Sequence, residues 1–489
     1  KEFLALLEKW GEQMPECTFS NLNNFLKSLE RSTSFFNECD LDLIQKEYFP
    51  FKNKVLSSIP TSYKNRYEKA FLRFEKKIGF EPTPHSLIYK KILSRVGEYK
   101  LKTRALNILE KNIPIIDGMI PKRKNVWIFT SWGNYEQHTI DNPRAVFEEA
   151  KNDKKIKKII ILNKSSKLLK KGSTSPDVKF IPLHSIKGLF SLMSAGYIFT
   201  GYSLHNIFGY RKILSKNRKI VQLWHGIPIK KIGLQVNKGQ EPFWKKELPR
   251  YHASIAASQL DMQTMIKSFS PSLPEKIKLT GLPRHDFLSK DENELPQDYQ
   301  QHLKILRNRV NGRKLVLFAP TWREKNQTPC IFTNKQFAQL DSAMKENNAV
   351  LAVRLHRNMM KKNTFSSFIS NNIFYVNDFP DVNILLREAN LLITDYSSIF
   401  LDFIKLERKI ILYTVDLNDY MSSRGLNYNC EDFLPEKNFI CHFDSLIIEL
   451  NNHFVNGFKT DSRYNSVKHK FHEFELDSNN ARRVIDAVL

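Results

Sequence analysis

The stretches of sequence that decide the fold are KIVQLWHGIPIKK at residues 219–231 and AVLAVRLHR at residues 349–357. Each begins with an apolar run typical of a central strand in a parallel sheet, and each places a histidine just after that run, His225 or His356. Ligands of α/β proteins bind beyond the carboxyl ends of such strands. The two histidines therefore predict a cleft shared by two α/β domains, with one imidazole from each wall.

The sequence around these stretches repeats the alternation of short apolar strands with helical or loop segments. Strands are predicted at residues 126–129, 159–162, 197–199, 220–223 and 254–256, and then at 314–318, 350–353, 373–376, 391–393 and 410–413. A polar, charged stretch at residues 289–311 separates the two series. This pattern is typical of doubly wound parallel sheets. We predict an α/β protein with two Rossmann-like domains, at residues 119–298 and 299–489.

Residues 1–118 are predicted to be a helical region. Between Thr61 and Gly79, apolar residues recur at spacings of three and four, and lysines and arginines occupy much of the remaining surface. Such a helix packs on its own domain or lies on an anionic lipid surface, and packing is the commoner role. The region is a candidate for acceptor or membrane docking.

The formal net charge of +25 over 489 residues predicts an anionic partner: nucleic acid, a phosphate-bearing substrate or an anionic membrane surface. No zinc-finger spacing or RNA-binding signature accompanies the charge, which favours a phosphate-bearing substrate over nucleic acid. No apolar run of about 18 residues and no signal-peptide core is visible. We expect a cytoplasmic protein, for which a peripheral position on the inner face of the cell membrane stays open.

The cysteines indicate neither a disulfide framework nor a zinc site, because none has the CxxC spacing. They are Cys17, Cys39, Cys330, Cys430 and Cys441. The GxGxxG and P-loop phosphate fingerprints are also absent, which counts against a dinucleotide dehydrogenase or a P-loop NTPase. Asp395 and Asp402 are seven residues apart and need not converge on a divalent ion, so metal-independent chemistry is favoured.

Three segments carry candidate chemistry. His225 precedes Gly226 and two lysines, a setting that suits a general base acting near an anionic substrate. In TDYSSIFLDF at residues 394–403, Ser397 and Ser398 are predicted at a helix N-terminus, where phosphate binds, although simple capping explains them too. Asp402, one turn later, is placed to accept from a hydroxyl or to stabilise the helix dipole. Arg284, in GLPRHD at 281–286, is either a phosphate ligand or an ion-pair partner.

The order and number of these segments resemble the CDP-glycerol glycerophosphotransferase family, the polyol-phosphate transferases and polymerases of teichoic acid and of similar capsules. The resemblance covers roughly residues 120–475. The matching segments are DNPR at 141–144, WHGIPIKKIG at 224–233, GLPRHD at 281–286, APTWRE at 319–324, RLH at 354–356, TDYSSIFLDF at 394–403 and RG at 424–425. Ile227 stands where Thr is common in the family, and Arg357 where Pro is common.

The resemblance implies a GT-B fold, with the active site in the cleft between the two Rossmann-like domains and the donor nucleotide on the second. It implies transfer of glycerol phosphate or ribitol phosphate from CDP-glycerol or CDP-ribitol to a hydroxyl of a growing teichoic-acid or capsule-type polymer, with release of CMP. With the metal-independent chemistry that the residues favour, we expect no metal and no cofactor. His225 resembles the catalytic base, and His356 a second essential histidine. The implied donor-binding residues are His225, Gly226, Ile227, Pro228, Ile229, Arg284, Thr321, Trp322, Arg354, Leu355, His356, Ser397, Ser398 and Asp402.

Two other functions stay open from the residues alone. A GT-B glycosyltransferase that uses a nucleotide sugar in cell-surface polysaccharide synthesis would share the fold and the basic phosphate site. A basic protein that binds nucleic acid or another polyanion would share the charge, with a steep dependence of binding on salt. Release of CMP from a CDP-polyol distinguishes the polyol-phosphate transferase from both.

Overall fold

The computed structural model describes the two sheets of the protein and most of the chain around them. The described residues are Lys52, Phe71, 115–130, 140–162, 166, 168–169, 175–182, 185–204, 217–235, 241–269, 274–321, 332–355, 368–417, 419–420, 425–428, 432–433, 439–458 and 460–489. Contacts divide the chain into two compact units, Lys1–Asn107 and Ile108–Leu489. Of the helix predicted at residues 61–79, the described residue is Phe71, which is helical and buried.

The first sheet has seven parallel strands in the order β3-β2-β1-β4-β5-β6-β7. Its strands are β1 (Arg123–Thr130), β2 (Lys157–Leu162), β3 (Val178–Pro182), β4 (Ala195–Thr200), β5 (Lys219–Gln222), β6 (Ala253–Ala256) and β7 (Ile277–Leu279). The helices of this half are α1 (Asp141–Ala150), α2 (Ile186–Ser194), α3 (Glu241–Glu247), α4 (Gln259–Phe269) and α5 (Asp286–Ser289). The strand order reverses between β1 and β4, and a crevice opens at such a reversal.

Helix α6 (Gln297–Val310) leads into the second sheet, which has six parallel strands in the order β10-β9-β8-β11-β12-β13. They are β8 (Lys314–Ala319), β9 (Ala349–Val353), β10 (Ile373–Tyr375), β11 (Leu391–Thr394), β12 (Lys409–Tyr413) and β13 (Phe439–Ile440). The helices that follow β8 are α7 (Asn334–Glu346), α8 (Val382–Glu388), α9 (Ile399–Phe403), α10 (Phe443–Asn456), α11 (Ser462–Phe471) and α12 (Asn480–Val488).

The predicted α/β fold is confirmed, and all ten predicted strands are present to within three residues at either end. Three strands are missing from the prediction: β3, β7 and β13. Each lies at the edge of its sheet, where the strand is short and half-exposed positions interrupt the apolar run. The charged stretch at 289–311 is not a simple interruption either, since α6 buries Tyr299, Leu303 and Leu306 at helical spacing.

One continuous apolar cluster joins the two sheets. It includes Phe129 and Tyr197 of the first sheet together with Leu317 and Leu392 of the second. Strands β9 and β11 are buried along their whole length, which is the usual environment of a central parallel strand and the reason these sequences are continuous apolar runs.

The C-terminal helix returns from the second sheet to the first half of the unit. Helix α12 packs against α1 and buries Ala481, Val484, Ile485 and Val488. Asp286 holds its first turn, because the carboxylate accepts from the backbone amides of Asn480 at 3.0 Å and of Ala481 at 2.9 Å. The predicted division at residues 118 and 298 stays a prediction.

Among the residues that the structure describes, no helix combines the length and the apolar character that a bilayer crossing requires.

Candidate active site

His225 lies in a tight turn just beyond the carboxyl end of β5. Trp224, which precedes it, has a φ of +50°, and Gly226, which follows it, has a φ of +138°. A Cβ on Gly226 would lie 2.9 Å from Arg284 Nη2 and 3.0 Å from Ser398 Oγ. Glycine is therefore required at this position, and the turn from the first sheet meets the start of α9 from the second.

The His225 ring is held in one orientation by its neighbours. Nδ1 lies 3.1 Å from the carbonyl oxygen of Gly201, which can only accept, so Nδ1 carries the proton and Nε2 keeps its lone pair. The ring stacks on Tyr202, with centroids 4.8 Å apart, and on Trp224 at 4.5 Å. The half-buried imidazole thus has the tautomer that a general base needs at Nε2.

Burial lowers the pKa of His225 to about 4, and the positive charge of Arg284 lowers it further, against the contact with Gly201, which raises it. The imidazole is consequently neutral at pH 7 and ready to accept a proton.

Arg284 forms an ion-pair network between the two halves of the site rather than pointing a free guanidinium at a ligand. Its Nη2 donates to Asp402 at 2.6 Å, and its Nη1 donates to the backbone oxygen of His225 at 2.8 Å and to Asp141 at 3.3 Å. His285 Nε2 lies 2.7 Å from the second oxygen of Asp402. The residues of this network are buried or nearly so.

The ion-pair network stabilises the negative charge of Asp402. Burial raises the pKa of Asp402, but Arg284 and His285 outweigh that effect and hold it below the ordinary value. Both carboxylate oxygens of Asp402 already have partners, and the donor-binding roles predicted for Arg284 and Asp402 stay predictions. What the structure places there is a charge-paired bridge from the turn at His225 to α9.

The serines predicted to bind phosphate lie where the second sheet approaches the turn at His225. Ser398 is the N-cap residue of α9, and its side chain makes no capping hydrogen bond to the helix. Ser397 and Ser398 are both half-buried. Their position at the helix start agrees with the sequence, and the Ser398 hydroxyl lies beside Gly226, 3.0 Å from where a Cβ on that glycine would be.

The other described residues that were predicted to bind the donor, Thr321, Arg354 and Leu355, lie just beyond the carboxyl ends of β8 and β9. The amide of Thr321 donates to Asp395 at 2.9 Å and so ties the end of β8 to the end of β11. The guanidinium of Arg354 donates to the backbone oxygen of Phe379 at 2.8 Å, and Leu355 exchanges hydrogen bonds with the side chain of Asn377. His356 and Trp322 lie outside the described residues.

Ile227, Pro228 and Ile229 are buried, and a residue from the second half of the unit donates hydrogen bonds to the backbone of this segment. The side chain of Asn427 donates to the oxygens of Pro228 at 2.7 Å and of Lys230 at 2.8 Å, and its amide donates to Ile229 at 2.7 Å. The residues from His225 to Ile229 therefore shape the wall of the site, with the two isoleucine side chains directed into the core.

Sequence reasoning missed several residues around His225, above all Asn142, Gly201 and Tyr202. Asn142 lies in the DNPR segment, which the resemblance includes without giving it a role. Its partners are 81 to 142 positions away along the chain, so only the fold shows them. The signal that could have found it is a polar residue that opens a helix beside the reversal of strand order.

We find no candidate metal site in the described part of the chain. Among those residues, no group of three or more histidine, cysteine, aspartate or glutamate side chains converges as metal ligands would.

Residues 116–489 match the family model described as CDP-glycerol:poly(glycerophosphate) glycerophosphotransferase. The chain is 27% identical over 332 residues to the teichoic acid poly(glycerol phosphate) polymerase of Bacillus spizizenii, covering 65% of this chain and 82% of the relative. It is 28% identical over 276 residues to the teichoic acid ribitol-phosphate polymerase TarL of Staphylococcus aureus, covering 55% of this chain and 48% of the relative. The match therefore spans most of the first relative and about half of the second.

Among solved structures, the wall teichoic acid polymerase TagF is similar, with a TM-score of 0.63 at 19% identity over 82% of this chain and 97% of that one. At this level of identity the likeness shows the fold, and the predicted arrangement of two Rossmann-like domains of the GT-B type is confirmed.

Asp402→Ala should destabilise the protein by about 3 to 5 kcal/mol, because it leaves the buried Arg284 with a weaker partner and His285 with none from this carboxylate. Urea unfolding measures the loss. The matched control is Asp378→Ala, which breaks the exposed pair of Asp378 with Arg309 and should cost less than about 1 kcal/mol. Equal effects of the two substitutions would mean that the bridge at Asp402 is not a stabilising element.

Proposed function

Because this chain belongs to the CDP-glycerol:poly(glycerophosphate) glycerophosphotransferase family, we propose that it transfers a polyol phosphate from a CDP-polyol to a polymer hydroxyl and releases CMP. The donor is CDP-glycerol or CDP-ribitol, since the relatives named above include polymerases of both glycerol phosphate and ribitol phosphate. The acceptor is the hydroxyl end of a teichoic-acid polymer, and a similar capsule polymer is the alternative. The observation that supports this most directly is the position of His225 beyond the carboxyl end of β5, with Nδ1 3.1 Å from the carbonyl oxygen of Gly201 and a pKa that burial lowers to about 4.

In the proposed reaction, the acceptor hydroxyl attacks the phosphorus that bears the polyol. His225 Nε2 takes the proton of that hydroxyl, a new phosphodiester bond forms, and the bond from this phosphorus to the oxygen of CMP breaks. The electron pair of the broken bond stays on CMP. Transfer of this kind depends mainly on positioning and on stabilising charge, so a rigid basic cleft is sufficient for it.

The diphosphate of the donor is assigned to the edge where α9 meets the turn at His225. Ser397, Ser398 and the first amides of α9 supply donors there, and Lys230 and Lys231 add positive charge beside the turn. Thr321, Trp322, Arg354, Leu355 and His356 follow β8 and β9 and are assigned to the nucleotide and the departing phosphate by the resemblance. The high net charge suits both an anionic donor and an anionic polymer.

The same charge suits a cytoplasmic position at the anionic inner face of the cell membrane, where a lipid-linked acceptor would be available. Nothing in the described residues favours a nucleotide-sugar donor or a nucleic-acid partner over the CDP-polyol. No cofactor beyond the donor is proposed.

The proposed function is tested by incubating the protein with CDP-glycerol and CDP-ribitol separately, with and without a short teichoic-acid acceptor, and measuring CMP and product length. We expect acceptor-dependent CMP release with at least one donor, and the preferred donor identifies the polyol. UDP- and GDP-sugars serve as controls. CMP release from neither donor, together with hydrolysis of a nucleotide sugar, would overturn the proposal in favour of a glycosyltransferase.

His225→Ala should lower the transfer rate about a hundredfold to ten-thousandfold, because it removes the general base. With the wild type, kcat/KM should stay level from pH 8 to about pH 5 and fall as the pH approaches 4, since protonated His225 cannot accept the proton. Circular dichroism at each pH distinguishes this fall of kcat/KM from unfolding of the protein in acid. A fall centred near pH 6.5 would show that the pKa of His225 keeps its ordinary value, and a His225→Ala variant that keeps half of the rate would remove His225 from the role of base.

Transfer should persist in excess EDTA, because basic side chains and helix amides are proposed to neutralise the charge that a metal ion would otherwise carry. The rate is measured before and after chelation and again after adding Mg²⁺ or Mn²⁺. Activity that disappears with EDTA and returns with either ion would show that a divalent metal takes part.

A further inference from the structure

The turn that carries His225 has a backbone conformation that surrounding contacts must hold in place. Trp224 adopts the left-handed region at φ +50°, which a bulky residue enters only when its neighbours determine it. The amide of Trp224 donates to the side chain of Gln222 at 2.9 Å. The carbonyl side of the turn depends on a residue from another element, Asn142.

Asn142 is fully buried and uses its side-chain amide as a three-way clamp. Its Nδ2 donates to the backbone oxygen of Leu223 at 2.9 Å and to that of Trp224 at 3.1 Å. Its Oδ1 accepts from the backbone amide of Arg284 at 3.0 Å. One side chain therefore joins the strand end before His225 to the segment that carries Arg284.

The clamp is itself positioned by the start of α1. The amide of Asn142 donates to Asp141 Oδ1 at 2.8 Å, and the amide of Asp141 donates to Asp381 from the second half of the unit at 3.1 Å. Pro143 packs beside Gly201, where an added Cβ would lie 3.4 Å from the proline ring and 3.1 Å from the oxygen of Trp224. The first turn of α1 thus fixes the distance between the turn at His225 and the carbonyl of Gly201.

We propose that Asn142 is a positioning residue for the transfer reaction: its amide holds the 223–225 turn so that His225 Nδ1 stays on the Gly201 carbonyl and Nε2 faces the acceptor hydroxyl. The proposal rests on the proposed function for the identity of the reaction, whereas the three hydrogen bonds of the Asn142 side chain are seen in the structure. Asn142 has no contact with the reacting atoms in this scheme and acts through His225.

Two substitutions separate the parts of the clamp. Asn142→Asp is isosteric and keeps an acceptor for the amide of Arg284, but it loses both Nδ2 donors and turns a carboxylate oxygen toward two carbonyl oxygens. Asn142→Ala removes all three bonds. The control is Asn390→Ala, which removes a side-chain acceptor for the amide of Leu315 at 2.8 Å, at the amino end of β8 and the opposite edge of that sheet.

Both Asn142 variants should lower kcat by roughly a hundredfold, because a misplacement of about 1 Å near the reacting atoms costs that much. KM for the CDP-polyol should change by no more than about threefold, since donor contacts remain. Asn390→Ala should leave kcat close to that of the wild type. In the His225→Ala background, Asn142→Ala should have almost no further effect, because no base is left to position.

A crystal structure of Asn142→Asp supplies a readout that does not depend on activity. We expect Trp224 to leave the left-handed region and the contact between His225 Nδ1 and Gly201 to be lost. An unchanged turn, or an Asn142 effect of the same size with and without His225, would overturn the positioning role and leave a purely structural one. If the wild type releases no CMP from any CDP-polyol, the proposed function fails, and the crystal structure still decides whether Asn142 holds the turn.

Discussion

The buried ion pair between Arg284 and Asp402 is the constraint on which the site depends, because it connects groups from both sheets at their carboxyl ends. Arg284 also holds the backbone oxygen of His225, and Asp402 belongs to the helix whose N-cap is Ser398. A buried pair of this kind is a weak source of net stability, since desolvation offsets much of the attraction, but it is strongly directional. Its value here is that it fixes the position of the turn at His225 relative to the start of α9.

The same pair explains the electrostatic character of the site. A guanidinium beside His225 opposes protonation of the imidazole, and burial acts in the same direction. The carboxylate of Asp402 pairs with the guanidinium of Arg284, and no hydrogen bond joins it to the His225 ring, so the pair leaves the imidazole neutral at pH 7.

The central strands, and with them the position of His225 beyond β5, could be predicted from the sequence because a parallel strand buried on both faces is a continuous apolar run, which is visible locally. The edge strands β3, β7 and β13 could not, since a lysine interrupts the apolar runs of β3 and β7, and β13 has only two residues, whereas the edge strand β10 is wholly apolar and was predicted. For Arg284 the sequence left phosphate ligand and ion-pair partner open, and the structure places two carboxylates against it. The sequence shows that Asn142 is a polar residue at the start of a helix, but it does not show the partners of Asn142, because these are backbone groups of segments 81 to 142 positions away.

The return of α12 to α1 has a consequence for the order of folding during synthesis. The face of α1 that receives Val484 and Ile485 belongs to the first half of the unit, yet α12 follows β7 by about 200 residues. At ribosomal rates that interval is roughly 10 to 40 s. During this interval the first sheet can form, but the side of α1 that packs on α12 remains exposed to solvent. The packing of α1 is therefore completed only after α12 has been synthesised, at the end of the second half of the unit.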